Sequence, residues 1–155
     1  MRRVLFGLVA VSLLAGAFAR GGDAKKDEER IQGTWVVKSF RVGGEEKPPP
    51  VKDGKLTLSK GTWKQTGEGR TEEGMYKLDT TKKPKWIDVT EKGGASIPGI
   101  YTLEGDTLKF AMPRKGPKGP RPNSFDDKDA SVVVLKRVKS RGGSPRAVLK
   151  KARGR

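Results

Sequence analysis

Gly99-Ile100-Tyr101-Thr102-Leu103-Glu104-Gly105-Asp106-Thr107-Leu108-Lys109-Phe110 is the stretch on which the fold turns. Gly105-Asp106 is a two-residue hairpin signal between two runs rich in β-branched and aromatic residues. If the chain reverses there, Leu103 faces Leu108 and Tyr101 faces Phe110, while Thr102 and Lys109 share the other side. Apolar and polar residues sort onto opposite faces, as a hairpin laid on a core requires. The same test gives the same answer elsewhere. A turn at Lys60-Gly61 sets Leu58 opposite Trp63, and one at Gly69-Arg70 sets Trp63 opposite Tyr76. Alternation adds Leu56, Leu78, Ile87, Val89 and Met112 to that face and turns Lys64, Lys77, Asp88 and Lys109 outward.

Strand-like runs recur at 34–42, 55–59, 62–67, 73–79, 86–90, 99–104, 107–112 and 131–139. The first and last carry apolar residues on both parities, which suits strands that pair with each other and are covered outside near one end. We therefore expect an all-β, eight-stranded antiparallel up-and-down barrel, with an open two-sheet sandwich as the alternative. One helical patch, 24–31, is short and charged enough to give a turn or two ahead of the first strand.

The 155-residue chain carries 34 Lys and Arg against 18 Asp and Glu, a formal +16, with no histidine and no cysteine. Those absences exclude Ser-His-Asp and Cys-His triads, imidazole proton shuttles, thiolate zinc sites and disulfides. Carboxylate, amine, hydroxyl or binding chemistry remains. Residues 1–19 read as a secretory signal: Arg2 and Arg3, an apolar run over 4–14, then Ala17-Phe18-Ala19 as an A-x-A cleavage site. An uncleaved N-terminal anchor is the alternative; a lipid anchor on cysteine is excluded. Export to the periplasm or the outside follows. Residues 20–28 form a charged linker of zero net charge, and 29–139 form the domain, with 23 basic and 15 acidic groups. The segment 140–155 has six basic groups and no acid, and reads as a disordered tail. PRKGPKGPRP at 113–122 reads as an extended basic loop.

IQGTW at 31–35, GMYKLDTTKKPKWIDV at 74–89, GIYTLEGDTLKF at 99–110 and VVVLKRVK at 132–139 stand in a telling order and spacing. Together they resemble the uncharacterised lipocalin-like domain family abundant in planctomycete bacteria. The resemblance covers about 29–139 and implies a small, exported, calycin-type barrel with no assigned activity. By the same analogy Trp35 plugs the closed end and Arg137 lies across its indole. The chain departs from the wider lipocalin pattern in lacking disulfides and a long opening loop.

A barrel of eight strands is just wide enough to be filled by side chains or to hold one small ligand. Trp35, Leu58, Trp63, Tyr76, Tyr101 and Phe110 are its candidate lining, either as filling or as the walls of a site for a small apolar molecule. Trp86 falls on the outward parity as an exposed platform. Asp79 and Asp88 leave the sheet on one side and form a candidate acid/base pair or hard-cation site, the basis of a carboxylate-type hydrolase reading. Against this, Asp79 can organise its own loop through Thr80 and Thr81, and Asp88 can pair with a lysine. Asp126, Asp127 and Asp129 lack calcium-loop spacing and read as a solvated turn. No catalytic residue, metal or cofactor is assigned. In the tail, Arg141, Arg146, Lys150, Lys151, Arg153 and Arg155 are candidate anion binders, toward anionic polysaccharide, nucleic acid or a membrane surface. The composite expectation is a monomeric, exported, non-enzymatic binding protein. Its favoured mode is electrostatic association with an anionic envelope polymer, with a small apolar ligand in the barrel as the second mode. The hydrolase and a purely structural envelope component stand as alternatives.

Overall fold

In a computed structural model, residues 20–139 are described. The segment 1–19, read above as a secretory signal, and the basic tail, with Arg141, Arg146, Lys150, Lys151, Arg153 and Arg155, lie outside the described residues. Helix α1 (Arg20–Arg30) leads into β1 (Gly33–Val42) and the short β2 (Glu45–Lys47). Then come β3 (Lys55–Ser59), β4 (Thr62–Gly67), β5 (Arg70–Asp79) and β6 (Lys85–Glu91), followed by β7 (Ser96–Glu104), β8 (Thr107–Pro113) and β9 (Ala130–Arg137). From β3 onward each strand pairs antiparallel with the next, β1 pairs with β3, and β9 returns to β1. The result is a closed, eight-stranded, lipocalin-like up-and-down barrel, with β2 added on the edge of β1.

The hairpin at Gly105-Asp106 has the expected register: Leu103 with Leu108, Tyr101 with Phe110, Thr102 with Lys109. Leu58 likewise stands opposite Trp63. The β4–β5 hairpin differs. Its turn is Glu68-Gly69, both residues at positive φ, and Trp63 stands opposite Gly74, not Tyr76. Moving a turn by one residue slides the pairing by two, so every inward side chain keeps its face.

The mixed parity of β1 has a local cause. Val37 pairs with Leu135 and Ser39 with Val134, so Lys38 is bulged out of the ladder. Trp35 and Val37 are therefore followed on the inward register by Phe40 and Val42. On β9 the cause is an outer cover. Val132 packs with Ile100, Ala111 and Ala130 beneath Trp86 and Phe125, outside the barrel.

The segment read as an extended basic loop supplies much of that cover. It contains a single 3₁₀ turn (Gly116–Lys118) and buries Gly119 and Pro122. Arg121 folds back onto the sheet: its guanidinium lies 4.2 Å from the Trp86 ring centre, donates to the Gly99 and Ile87 carbonyls, and pairs with Asp88 at 2.6 Å. Trp86, expected as an exposed platform, is thus half-buried, with Lys82 also near its ring.

At the other end the core is fully packed, with Ile31, Trp35, Tyr101, Leu108 and Leu135 buried. The helix here is longer than the expected turn or two because its last turn is anchored inside the protein. Asp27, only 3 % exposed, accepts a hydrogen bond from the Tyr101 hydroxyl at 2.8 Å and one from Lys85 Nζ at 2.6 Å. Trp35 Nε1 donates to the Ile31 carbonyl at 2.9 Å. Arg137 Cζ lies 4.1 Å from the Trp35 ring centre, while the guanidinium donates to the Arg30 and Gln32 carbonyls and to Asp106. Gly33 makes this approach feasible: its φ is +126°, and a Cβ there would stand 2.8 Å from Arg137 Nη1.

Burial, and then the hydrogen bond to Asp27, hold the Tyr101 phenol above its ordinary range. In the unfolded chain that phenol ionises near pH 10, whereas in the fold it stays protonated, so stability is lost as pH rises past 10. Tyr101→Phe is expected to cost about 1.5–3 kcal/mol at pH 7 through the lost bond to a charged group. It should also flatten the decline in urea-unfolding free energy between pH 10 and 11 by up to about 1.4 kcal/mol per pH unit. An unchanged slope would show that this phenol is not held.

Candidate functional site

Away from the packed end, the inner face opens into a cavity of about 220 Å³. Leu58, Trp63, Tyr76 and Phe110 line it, joined by Leu56, Ile87, Val89 and Met112 from the same face. Gln65, Glu72 and Glu91 complete the lining. These three sit where β4, β5 and β6 reach the end of the barrel opposite α1, so the hollow has an apolar body and a polar mouth.

Of the six interior residues named from the sequence, Leu58, Trp63, Tyr76 and Phe110 therefore meet around one space. Trp35 and Tyr101 do not line it; both are wholly buried in the closed end. Alternation shows which way a side chain points but not how deep along the barrel axis it sits. Gln65, Glu72 and Glu91 were missed, although alternation carried two residues beyond Trp63, Gly74 and Val89 reaches each of them.

One wall depends on a missing side chain. The Trp63 indole lies across Gly74 on the facing strand and donates from Nε1 to the Thr90 carbonyl at 3.3 Å. A Cβ at Gly74 would collide with that carbonyl and stand 2.7 Å from Trp63 Nε1. The glycine thus fixes the ring that forms the wall.

The charges at the mouth are of one sign. Glu72 and Glu91 make no ion pair among the described residues. Glu73, one residue along and on the outward register, is instead paired with Lys92 at 3.0 Å, which holds its carboxyl below the ordinary range. Deeper in, burial raises the Tyr76 phenol above its usual range. Tyr76 also lines a second hollow of about 420 Å³ between α1 and the Lys60-Gly61 turn, with Lys25, Glu28 and Glu29 around it.

The other carboxylates named from the sequence are engaged separately. Asp79 accepts hydrogen bonds from the Thr81 backbone N–H at 3.0 Å and hydroxyl at 2.6 Å, which hold its carboxyl low. Asp88 is held by Arg121. Asp127 accepts from the Asp129 backbone N–H at 2.8 Å, and the Asp126 N–H donates to the Ser124 hydroxyl, so both bonds organise the turn. Among the described residues no group of three or more acidic side chains is gathered for a metal ion.

Comparison with protein-family models, curated proteins and solved structures gave no match to this chain. Gly74→Ala is expected to destabilise the barrel by about 1–3 kcal/mol in urea unfolding, because neither the carbonyl nor the indole can retreat without loosening the wall. A neutral effect would mean that Trp63 does not lie over position 74.

Proposed function

We propose that this chain is an exported, non-enzymatic binding protein that holds one small, mainly apolar molecule in the open half of its barrel. The observation that carries the reading is the contrast between the two halves of one core. Trp35, Tyr101, Leu108 and Leu135 fill the closed end, whereas Leu58, Trp63, Tyr76 and Phe110 surround unfilled space. Interiors are packed at crystal-like density, and voids larger than a water molecule are few. An apolar cavity of about 150 Å³ takes up benzene. At about 220 Å³ this one suits a single ring with a short side chain. The likeness of 29–139 to the lipocalin-like family of planctomycetes and the signal-like start at 1–19 support the exported character.

A fill-in test distinguishes a site from loose packing. Val89→Phe projects a larger side chain into the hollow and is expected to be neutral or to stabilise by about 0.5–2 kcal/mol. Leu108→Trp at the packed end is expected to cost about 1–3 kcal/mol. In calorimetric titration 2-phenylethanol should bind the parent chain saturably and lose that binding in Val89→Phe; no binding to the parent chain by this alcohol or by the amine and the acid that share its body would overturn the proposal.

A second mode has an observation of its own. Arg114, Lys115 and Lys118 are exposed on the outer loop, and the first two border a cleft of about 460 Å³ with Pro113, Gly119, Pro120 and a single acid, Asp129. This basic surface, with the basic tail, suits an anionic envelope polymer held by charge. Pull-down by an anionic polysaccharide is expected to weaken steeply with salt and to fall on deletion of 140–155. Unchanged retention after deletion would assign no part of it to the tail.

A further inference from the structure

We infer that the ligand of the barrel hollow is a cation, a protonated primary amine carried on one aromatic ring or a short aliphatic body. The inference rests on the binding function proposed above and specifies its ligand class.

The geometry at the mouth leads to it. Gln65 and Glu72 are directly opposite in the β4–β5 ladder. Glu91 is opposite Gly74, so it stands on the diagonal from Glu72 across β5 and β6, with backbones about 7–8 Å apart. Position 74 has no side chain of its own, and the Trp63 indole lies over it. An ammonium has three donors and no acceptor. Two carboxylates and an amide oxygen on one patch of sheet are a complementary set of acceptors, in the arrangement that makes charge-assisted hydrogen bonds.

The local charge runs against that of the domain. Residues 29–139 carry 23 basic and 15 acidic groups, so a rim that served solubility alone would most readily be lysine. Among the described residues no cation lines the hollow. The next inward-register position on β5 beyond Glu72 is Arg70, at the hairpin end and outside the lining. Glu73, facing outward, has its lysine, while Glu72 and Glu91 have none among the described residues. Behind them Trp63, Tyr76 and Phe110 present the apolar and aromatic surface that an organic amine needs for its body. The ligand then lies with its ring against those side chains and its ammonium at the mouth.

Calorimetric titration of the full chain at pH 7 and low salt, with 2-phenylethylamine, 2-phenylethanol and phenylacetate, tests this. The three share a body and differ in charge. The amine is expected to bind about tenfold or more tighter than the alcohol, the equivalent of one charge-assisted hydrogen bond, and phenylacetate weakest. The double variant Glu72→Gln, Glu91→Gln changes two exposed side chains and is expected to bring the amine down to the affinity that the same variant shows for the alcohol. Equal binding of amine and alcohol by the parent chain, or an advantage that survives the double variant, overturns the inference and leaves the binding function standing. Failure of all three to bind overturns both.

Discussion

The Arg137 guanidinium, 4.1 Å from the centre of the Trp35 indole, joins parts of the chain that are more than a hundred residues apart. Its flat face covers the ring, and its edge satisfies two carbonyls at the end of α1 and the Asp106 carboxylate in the β7–β8 turn. Trp35 and Arg137 are direct cross-strand partners on the seam where β1 meets β9. The contact that closes the barrel sideways therefore also stops it at one end. With Asp27 anchored on Tyr101 and Lys85 beside it, the helix cannot swing away without stranding a buried carboxylate. A hollow with one blind end and one mouth follows from that arrangement.

A void in a small domain forgoes contacts, and the surrounding sheet must be stiff enough not to collapse into it. The outer cover supplies part of that stiffness. Arg121 clamps β6 and β7 through the Ile87 and Gly99 carbonyls and Asp88, and Phe125 seals the apolar cluster over β7, β8 and β9. These strands are thus covered on their outer face as well around Ile100, Ala111, Ala130 and Val132. Among the described residues β3 to β5 have no comparable apolar cover, and they form one wall of the cavity.

Much of this was legible in the residues and some was not, for definite reasons. Registers around Gly105-Asp106 and Lys60-Gly61 follow from turn chemistry and alternation, because a one-residue slip would expose a whole apolar set. The Glu68-Gly69 turn was displaced by one position because Glu68 takes a positive φ, which its residue type does not advertise. The bulge at Lys38 was visible only as a disturbance of parity. Pairing places Leu58, Trp63, Tyr76 and Phe110 on one face but says nothing of the volume between them, which depends on barrel closure. Gln65, Glu72 and Glu91 were within reach of the same alternation, yet their polarity hid them from a search for core. Arg121 sat in a run that reads as solvated, and only the folded loop shows that it lies on Trp86.

Closure of a sheet also decides what its margins do. In this barrel the strand that extends past the seam is β2, and its three residues, Glu45, Glu46 and Lys47, are all exposed and charged. A neighbouring chain seeking to add a strand there would meet a very short ladder and three hydrated side chains. A domain rich in β-structure, without disulfides to lock it, is thereby protected against edge-to-edge self-association when crowded among its own copies.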